Sequence, residues 1–517
     1  MPFLVAKKQL ENSSQGFRVH REHEFQERFS YTKNLSVNSV PSVRNLYFVS
    51  FNSVAREGGG VFLSFIIFCK KTILSFTRKL MTTSELFGRE KVSRLLFRLA
   101  PPVMFAQLIQ ALYNIVDSFF IGRNGLTGLT ALSIIYPFQL LMIALAVGTG
   151  VGINTAMAMK MGRGRRGESE KFAELAIPLA FLLWLLCAIL GFLFMPSYAR
   201  LFTDSTGVIS EVITYGRICC IFSFGLFFES VWTKVIQAYG NMRRPMIAQI
   251  VGAIVNIVLD PFLIFGLCGL PRLGIEGAAI STVAGQIAAG LVVMPEGFRK
   301  PLPPKFFPAY AFLVFKLGLP NMLMQAAYTF YILGLNLILE GFSDAAVTAL
   351  GLYYKWQTFF FIPLGAMQTC VVPILSFNYG AENFERCRRI VRDSLIFGLL
   401  FMAFGTFCFE LIPGPMLRVF TGNEDVIRIG SWGFHFIGVS FLPMVTSLMF
   451  PVVFQSLSLP VRSSLLTIIR TVILFVPLGW IFSRFGLEYF WLTFPVTESL
   501  TTLAGFLMYR GIFDKKG

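Results

Sequence analysis

Residues 246–286 read MIAQIVGAIVNIVLDPFLIFG (246–266), then LCGLPRL (267–273), then GIEGAAISTVAGQ (274–286). Two apolar runs flank a seven-residue turn, so the stretch is read as two transmembrane helices joined tightly. The first run carries Asn256 and Asp260, four residues apart and therefore on one helix face. Pro261 follows directly, and its missing N–H releases a backbone carbonyl and predicts a bend. A carboxylate at membrane depth costs at least ~2.5 kcal/mol on insertion scales. Two readings account for it: a structural acid paired with a neighbouring helix, or a site for a proton or cation. The second is preferred, because ionisable groups inside membranes generally mark ion pathways.

Composition places the whole chain in the same setting. Of its 517 residues 55% are hydrophobic and only 14% charged, with a mean hydropathy of +0.66. Soluble domains carry nearer a quarter charged residues, so the expected fold is an all-α polytopic membrane protein. The net charge of +17 sits largely in short loops, so the partner it implies is the lipid bilayer and not nucleic acid. Eight cysteines show no CxxC spacing and read as reduced packing residues. Three histidines leave no basis for a His metal centre. Neither HExxH, GxSxG nor GxxxxGK[ST] occurs. The expectation is therefore no enzyme activity, no ATP hydrolysis and no cofactor.

Residues 1–80 differ from the rest, with 12 Lys/Arg, five acids and one apolar run of eight residues. They read as a disordered or wrongly assigned N-terminal extension, with Met81 a credible natural start. From Leu95 onward twelve apolar segments of spanning length follow: 95–122, 130–158, 173–195, 209–238, 246–267, 274–297, 311–339, 346–374, 391–411, 426–455, 463–483 and 488–509. Pro101-Pro102 predict an interruption of the first. One set of alternate loops holds 22 Lys/Arg and the other five. The positive-inside rule then places both termini in the cytoplasm of a multi-pass protein of the cell's inner membrane.

The chain repeats itself at an offset of 218. FRLAPP (97–102) matches FKLGLP (315–320), Thr130-Ala131-Leu132 matches Thr348-Ala349-Leu350, Gly162 matches Gly380, Phe202-Thr203 matches Phe420-Thr421 and Gln237 matches Gln455. Each repeat has six spans, an even number, so the two share one orientation. Two six-helix lobes are expected, 85–298 and 299–517, related by a pseudo-two-fold axis along the membrane normal with a substrate cavity between them. Adding 218 to Asp117, Asn256 and Asp260 gives Leu335, Leu474 and Leu478. The acidic residues belong to the first repeat alone, which favours function over a shared folding requirement.

ALYNIVDSFFIGR (111–123) ends the first span and carries Asn114 and Asp117. Asp117, Asp260 and Thr282 lie about 9, 10 and 12 Å from the outer ends of their spans, counted at ~1.5 Å per residue. Three polar groups at one depth suit a small cation or a proton: carboxylates for charge, Asn256 and Thr282 oxygens to complete the shell, and Asn114 as an accessory. No other metal is implied. The second repeat instead holds Lys355, Arg470 and Glu498 within its spans. They read either as a charge cluster shaping an anionic or zwitterionic subsite, or as a plain Arg470–Glu498 salt bridge. Glu229 and Lys234 in the fourth span are expected to interact with each other, Lys234 snorkelling inward.

LYNIVDSFFIG, QAYGNMRRP, NIVLDPFLIFG and LGIEGAAISTVAGQ together resemble the multidrug and toxic compound extrusion (MATE) family, in particular its MepA-like and DinF-like members. The resemblance covers residues from about 85 to the C terminus. It implies a V-shaped pair of lobes. It also implies a monomeric secondary antiporter that exports lipophilic, often cationic drugs or toxic metabolites in exchange for H⁺ or Na⁺. By motif it implies that Asp117, Asn256, Asp260 and Thr282 form the N-lobe cation site. The C-lobe cation site of NorM-like members uses an acid in the tenth span, and 426–455 contains none. A flippase for a lipid-linked sugar or phospholipid is the nearest alternative; an intramembrane enzyme fails on its inventory of motifs.

Overall fold

The computed structural model describes residues 83–124 and 126–513, and the expectation for residues 1–80 lies outside them. The described chain is helical, with no strand among the described residues. The first six spans are Val92–Asn124, Leu126–Gly162, Ala176–Phe202, the pair Thr206–Ile221 and Phe224–Ala238, Arg243–Phe265 and Ile275–Gly297. The second six are Phe307–Glu340, the pair Asp344–Phe360 and Ile362–Gly380, Phe384–Leu411, Glu424–Ser456, the run Pro460–Ser483 and Thr493–Tyr509. Among the described residues nine helices are long and apolar enough to cross a membrane unbroken. Two bent pairs add two more crossings. Thr493–Tyr509 is the twelfth, 17 residues long and so about 25 Å at ~1.5 Å per residue.

The breaks do not follow the prolines read from the sequence. Val92–Asn124 runs unbroken through Pro101 and Pro102, and Arg243–Phe265 runs through Pro261. Packed neighbouring helices satisfy the carbonyls that proline releases, so a transmembrane helix tolerates it. The fourth span turns by 44° after Ile221, where the Ser223 hydroxyl donates to the Cys220 carbonyl at 2.8 Å and competes with the helical ladder. The eighth turns by 51° at Phe361, directly before Pro363. The position equivalent to Pro363 in the first repeat is Leu145, and the second span stays straight enough to count as one helix.

The two repeats press together along one end. A Cβ on Gly162 would stand 1.9 Å from the Phe377 carbonyl oxygen, and one on Gly380 would stand 2.2 Å from that of Met159. Gly162 and Gly380 are repeat equivalents, as are Met159 and Phe377, so the contact obeys the pseudo-two-fold axis. Gly152 backs onto the Val314 carbonyl and Gly318 onto that of Gly148 in the same way. Small residues let helix backbones approach closely where side chains would hold them apart. A short helix, Thr83–Gly88, lies across the same end. Leu86 packs under Gly240 of the first repeat, while the Phe87 carbonyl accepts from Asn378 and Arg386 of the second, each at 3.0 Å.

Candidate functional site

The first lobe brings Asp117, Asn256 and Asp260 together at the contact of its first and fifth spans. All three are buried, Asp260 completely. The two carboxyl groups lie within electrostatic reach of one another. Asp260 Oδ1 accepts from the Ser281 hydroxyl on the sixth span. Asp117 Oδ1, Asp260 Oδ2 and both polar atoms of Asn256 have no hydrogen-bond partner. Buried polar atoms are normally satisfied, and this unpartnered set holds three acceptor oxygens beside the one Asn256 amide donor. Two carboxylates, an amide oxygen and a hydroxyl fit a proton or Na⁺. Among the described residues no three His, Cys, Asp or Glu side chains converge as a metal centre.

Ser281 was not singled out by the sequence; its neighbour Thr282 was. Thr282 lies beside Tyr215, whose hydroxyl accepts from Gln139 Nε2 at 3.4 Å and which lies within electrostatic reach of Asp117. Thr282 thus joins a polar group beside the acids, and Ser281 touches the acid itself. Successive residues point about 100° apart around a helix, and the sequence does not fix that phase. Asn114 lies exposed, its main-chain carbonyl accepting from Ser118; the structure does not bring it into the pair. In the second lobe the equivalent helix contact is apolar: Leu335, fully buried, fills the space beside Gly479.

The charges of the second lobe separate into two places. Arg470 and Glu498 form a buried ion pair, with Nε 3.1 Å from both carboxylate oxygens and Nη2 2.6 Å from one. Ser447 donates to the same carboxylate, and the guanidinium lies 5.1 Å from the Phe475 ring and 5.7 Å from that of Tyr331. The helix widens to π geometry over Ile469–Phe475 to present it. Lys355 is not part of this cluster: it is exposed and lies 5.1 Å over the Phe420 ring. The plain salt bridge is therefore the arrangement seen. Removing one member of such a pair strands a buried charge, at about 3–5 kcal/mol. Glu498→Gln is expected to lower the melting temperature of the detergent-solubilised protein clearly, while Lys355→Ala leaves it unchanged. Equal melting temperatures for Glu498→Gln and wild type would show that the pair carries no stability.

Between the lobes lies a cavity of about 220 Å³. Gln107 and Gln325, and Gln237 and Gln455, line it as two repeat-equivalent pairs, with Asn154 and Lys234 beside them. Lys234 and Glu229 lie within electrostatic reach of each other as expected, but they form no direct ion pair. Lys234 Nζ donates to Gln237 Oε1 at 3.1 Å. Glu229 instead accepts from Thr233 at 2.8 Å and from Gln249 at 3.0 Å. Residues five apart sit on opposite sides of a helix's turn, so the two side chains diverge.

Twelve spans, an internal repeat and a polar cavity on the repeat axis find their counterpart in known proteins. The MatE family model matches residues 102–262 and again 320–481, and the two matches begin at the offset of 218 read from the sequence. This chain belongs to the MatE family. Members are transporters, and the chain is a transporter rather than an enzyme. The "FAD transporter" of Shewanella oneidensis is 23% identical over 437 residues, covering 82% of this chain and 95% of the relative. The "Multidrug export protein MepA" of Staphylococcus aureus is 21% identical over 441 residues, covering 83% of this chain and 96% of the relative. A solved structure described as an outward-facing conformation of a multidrug resistance MATE family transporter superimposes with a TM-score of 0.77 at 21% identity. It covers 85% of this MatE chain and 99% of its own. The two-lobed, twelve-span fold expected from the sequence is thereby the fold of the protein.

Proposed function

We propose that this MatE chain is a secondary antiporter that exports small amphipathic drugs or toxic metabolites in exchange for H⁺ or Na⁺. The observation that carries the reading is the buried Asp117–Asp260 pair with its unpartnered oxygens, present in one lobe and replaced by leucines in the other. One proton or one Na⁺ between the carboxylates neutralises charge that the lipid-facing helices cannot solvate. Asn256 and Ser281 supply neutral ligands, and Thr282 with Tyr215 forms the polar wall beside them. A ligand shifts a conformational equilibrium only through different affinities for the two states. The cation therefore favours the state that releases substrate.

The chain acts as a monomer in the inner membrane with both termini in the cytoplasm, a placement supported by the 22-to-five loop charge difference. On that placement the glycine contacts of Gly162 and Gly380 close the cytoplasmic end. The lobes are residues 85–298 and 299–517. The test is transport by purified protein in liposomes loaded with fluorescein or rhodamine 6G, with H⁺ and Na⁺ gradients imposed separately. One gradient is expected to drive uphill movement of at least one dye. Movement that ignores both gradients would reject the antiport.

A further inference from the structure

From the central cavity we infer that this transporter's substrate carries an anionic group, a carboxylate or phosphate, which Lys234 in the cavity lining receives. The inference rests on the export reading in one respect only: it takes the cavity between the lobes as the place where substrate binds. It narrows the substrate class away from the lipophilic cations that the family resemblance implies.

The sign of the cavity is set by one residue. Its lining contains Gln107, Gln237, Gln325 and Gln455, other amide, hydroxyl and aliphatic groups, and Lys234; no carboxylate lines it. An amide presents either its oxygen or its NH₂ to a ligand, so the carboxamides adapt to either polarity. An ammonium has three donors and no acceptor, and it does not adapt. Among the described residues no carboxylate forms an ion pair with Lys234: its hydrogen bond goes to Gln237. The nearest acid on its own helix, Glu229, is held by Thr233 and Gln249. A half-buried ammonium whose hydrogen bond goes to an amide, with Glu229 in electrostatic reach but held by other donors, still favours an anion placed beside it in the cavity and repels a cation.

The surroundings are shaped for this lysine. A Cβ on Gly150 would stand 2.7 Å from Lys234 Cγ, so only glycine leaves room for the lysine stem. The Lys234 main-chain carbonyl is fixed by Asn154 Nδ2 at 2.8 Å. In the second repeat the equivalents of Gly150 and Lys234 are Gln368 and Val452. There the side chain of Gln368 reaches the Leu448 carbonyl at 2.9 Å. The repeats thus exchange bulk and charge together, and the first alone carries a cation at this position. The surrounding glutamines supply hydrogen bonds to hydroxyl or amine groups on the same molecule. The ligand class is accordingly an organic anion that also bears donors, with its apolar part extending into the space between the lobes.

The test compares two dyes on one xanthene frame: fluorescein, a dianion at neutral pH, and rhodamine 6G, a cation. Equilibrium binding to the purified full chain in nanodiscs is read by fluorescence anisotropy, without any gradient. Wild type is expected to bind fluorescein more tightly. Lys234→Gln is expected to weaken fluorescein at least tenfold and leave rhodamine 6G unchanged or tighter, and Lys234→Arg to restore fluorescein within a few-fold. Gln325→Glu, which leaves the lysine in place, is expected to weaken fluorescein and tighten rhodamine 6G; it keeps the test decisive should Lys234→Gln fail to fold. Tighter binding of rhodamine 6G by wild type, or fluorescein affinity unaltered in Lys234→Gln and in Gln325→Glu, would overturn the anion site. A chain that exports under a gradient yet binds both dyes alike loses this inference and keeps the antiport. A chain that binds fluorescein through Lys234 and ignores both gradients loses the antiport and keeps the site.

Discussion

Asp260→Asn is expected to abolish gradient-driven export while the protein still inserts and folds. Asparagine keeps the shape of the side chain and can still accept from Ser281, so the packing around the fully buried position survives. What it removes is the charge that makes a proton or Na⁺ worth binding beside Asp117. Asp117→Asn is expected to do the same, because either change leaves a single carboxylate where the pair was needed. Loss of one buried charge also relieves desolvation, so neither variant should melt below wild type. Ser281→Ala removes one neutral ligand and is expected to lower the coupled rate several-fold without abolishing it. The leucines at the equivalent positions of the second lobe give the control. Leu335→Asn buries a polar group without a partner, at about 1–3 kcal/mol on protein scales, and should reduce thermal stability while export per folded molecule stays near wild type. The measurement is dye movement in liposomes under separate H⁺ and Na⁺ gradients, beside melting temperature. Export at wild-type rates by both aspartate variants would place the coupling site elsewhere.

The fold was legible because hydropathy and the repeat are one-dimensional signals. Spanning length, loop charge and an offset of 218 need no tertiary contact to be read, and the family matches at 102–262 and 320–481 begin at the same offset. Asp117, Asn256 and Asp260 were legible for a related reason: an acid in an apolar run is costly, and its absence from the other repeat is visible by subtraction. What failed needed helix phase or partners. Ser281 rather than Thr282 touches Asp260, a difference of one position around the sixth span. Lys234 and Glu229 lie within electrostatic reach of each other as read, yet the sequence did not show that the hydrogen bonds of each go to an amide-bearing neighbour on another turn or helix. Lys355 sits within the eighth span as read, but its side chain lies exposed over Phe420 and not with Arg470 and Glu498. Pro101-Pro102 misled for the opposite reason: their local cost is fixed by chemistry, packing decides whether it is met, and the helix runs on through both.

The glycine contact between the lobes leads to the second large effect. Gly162→Ala and Gly380→Ala are each expected to hold the closed end apart and to slow export at least about fivefold. A new Cβ would lie 1.9 Å from the Phe377 oxygen in the first case and 2.2 Å from the Met159 oxygen in the second. Both obstacles are main-chain atoms of long helices, so no side chain can swing away. Overpacking of this kind costs about 1–3 kcal/mol. Imposed on one of two states, that cost shifts their populations by about five- to 150-fold. It falls on the state with the lobes pressed together and leaves the opened state untouched. The pseudo-two-fold symmetry adds a stricter expectation: the two substitutions load the same contact from opposite sides, so the double variant should be no more than additive in free energy. Gly167→Ala serves as the control, since nothing lies within 4 Å of its Cβ. Spin-label distances between the loops at 163–165 and 381–383 should lengthen in both single variants and not in the control. Unchanged distances with normal export would mean that the lobes need not approach this closely during transport.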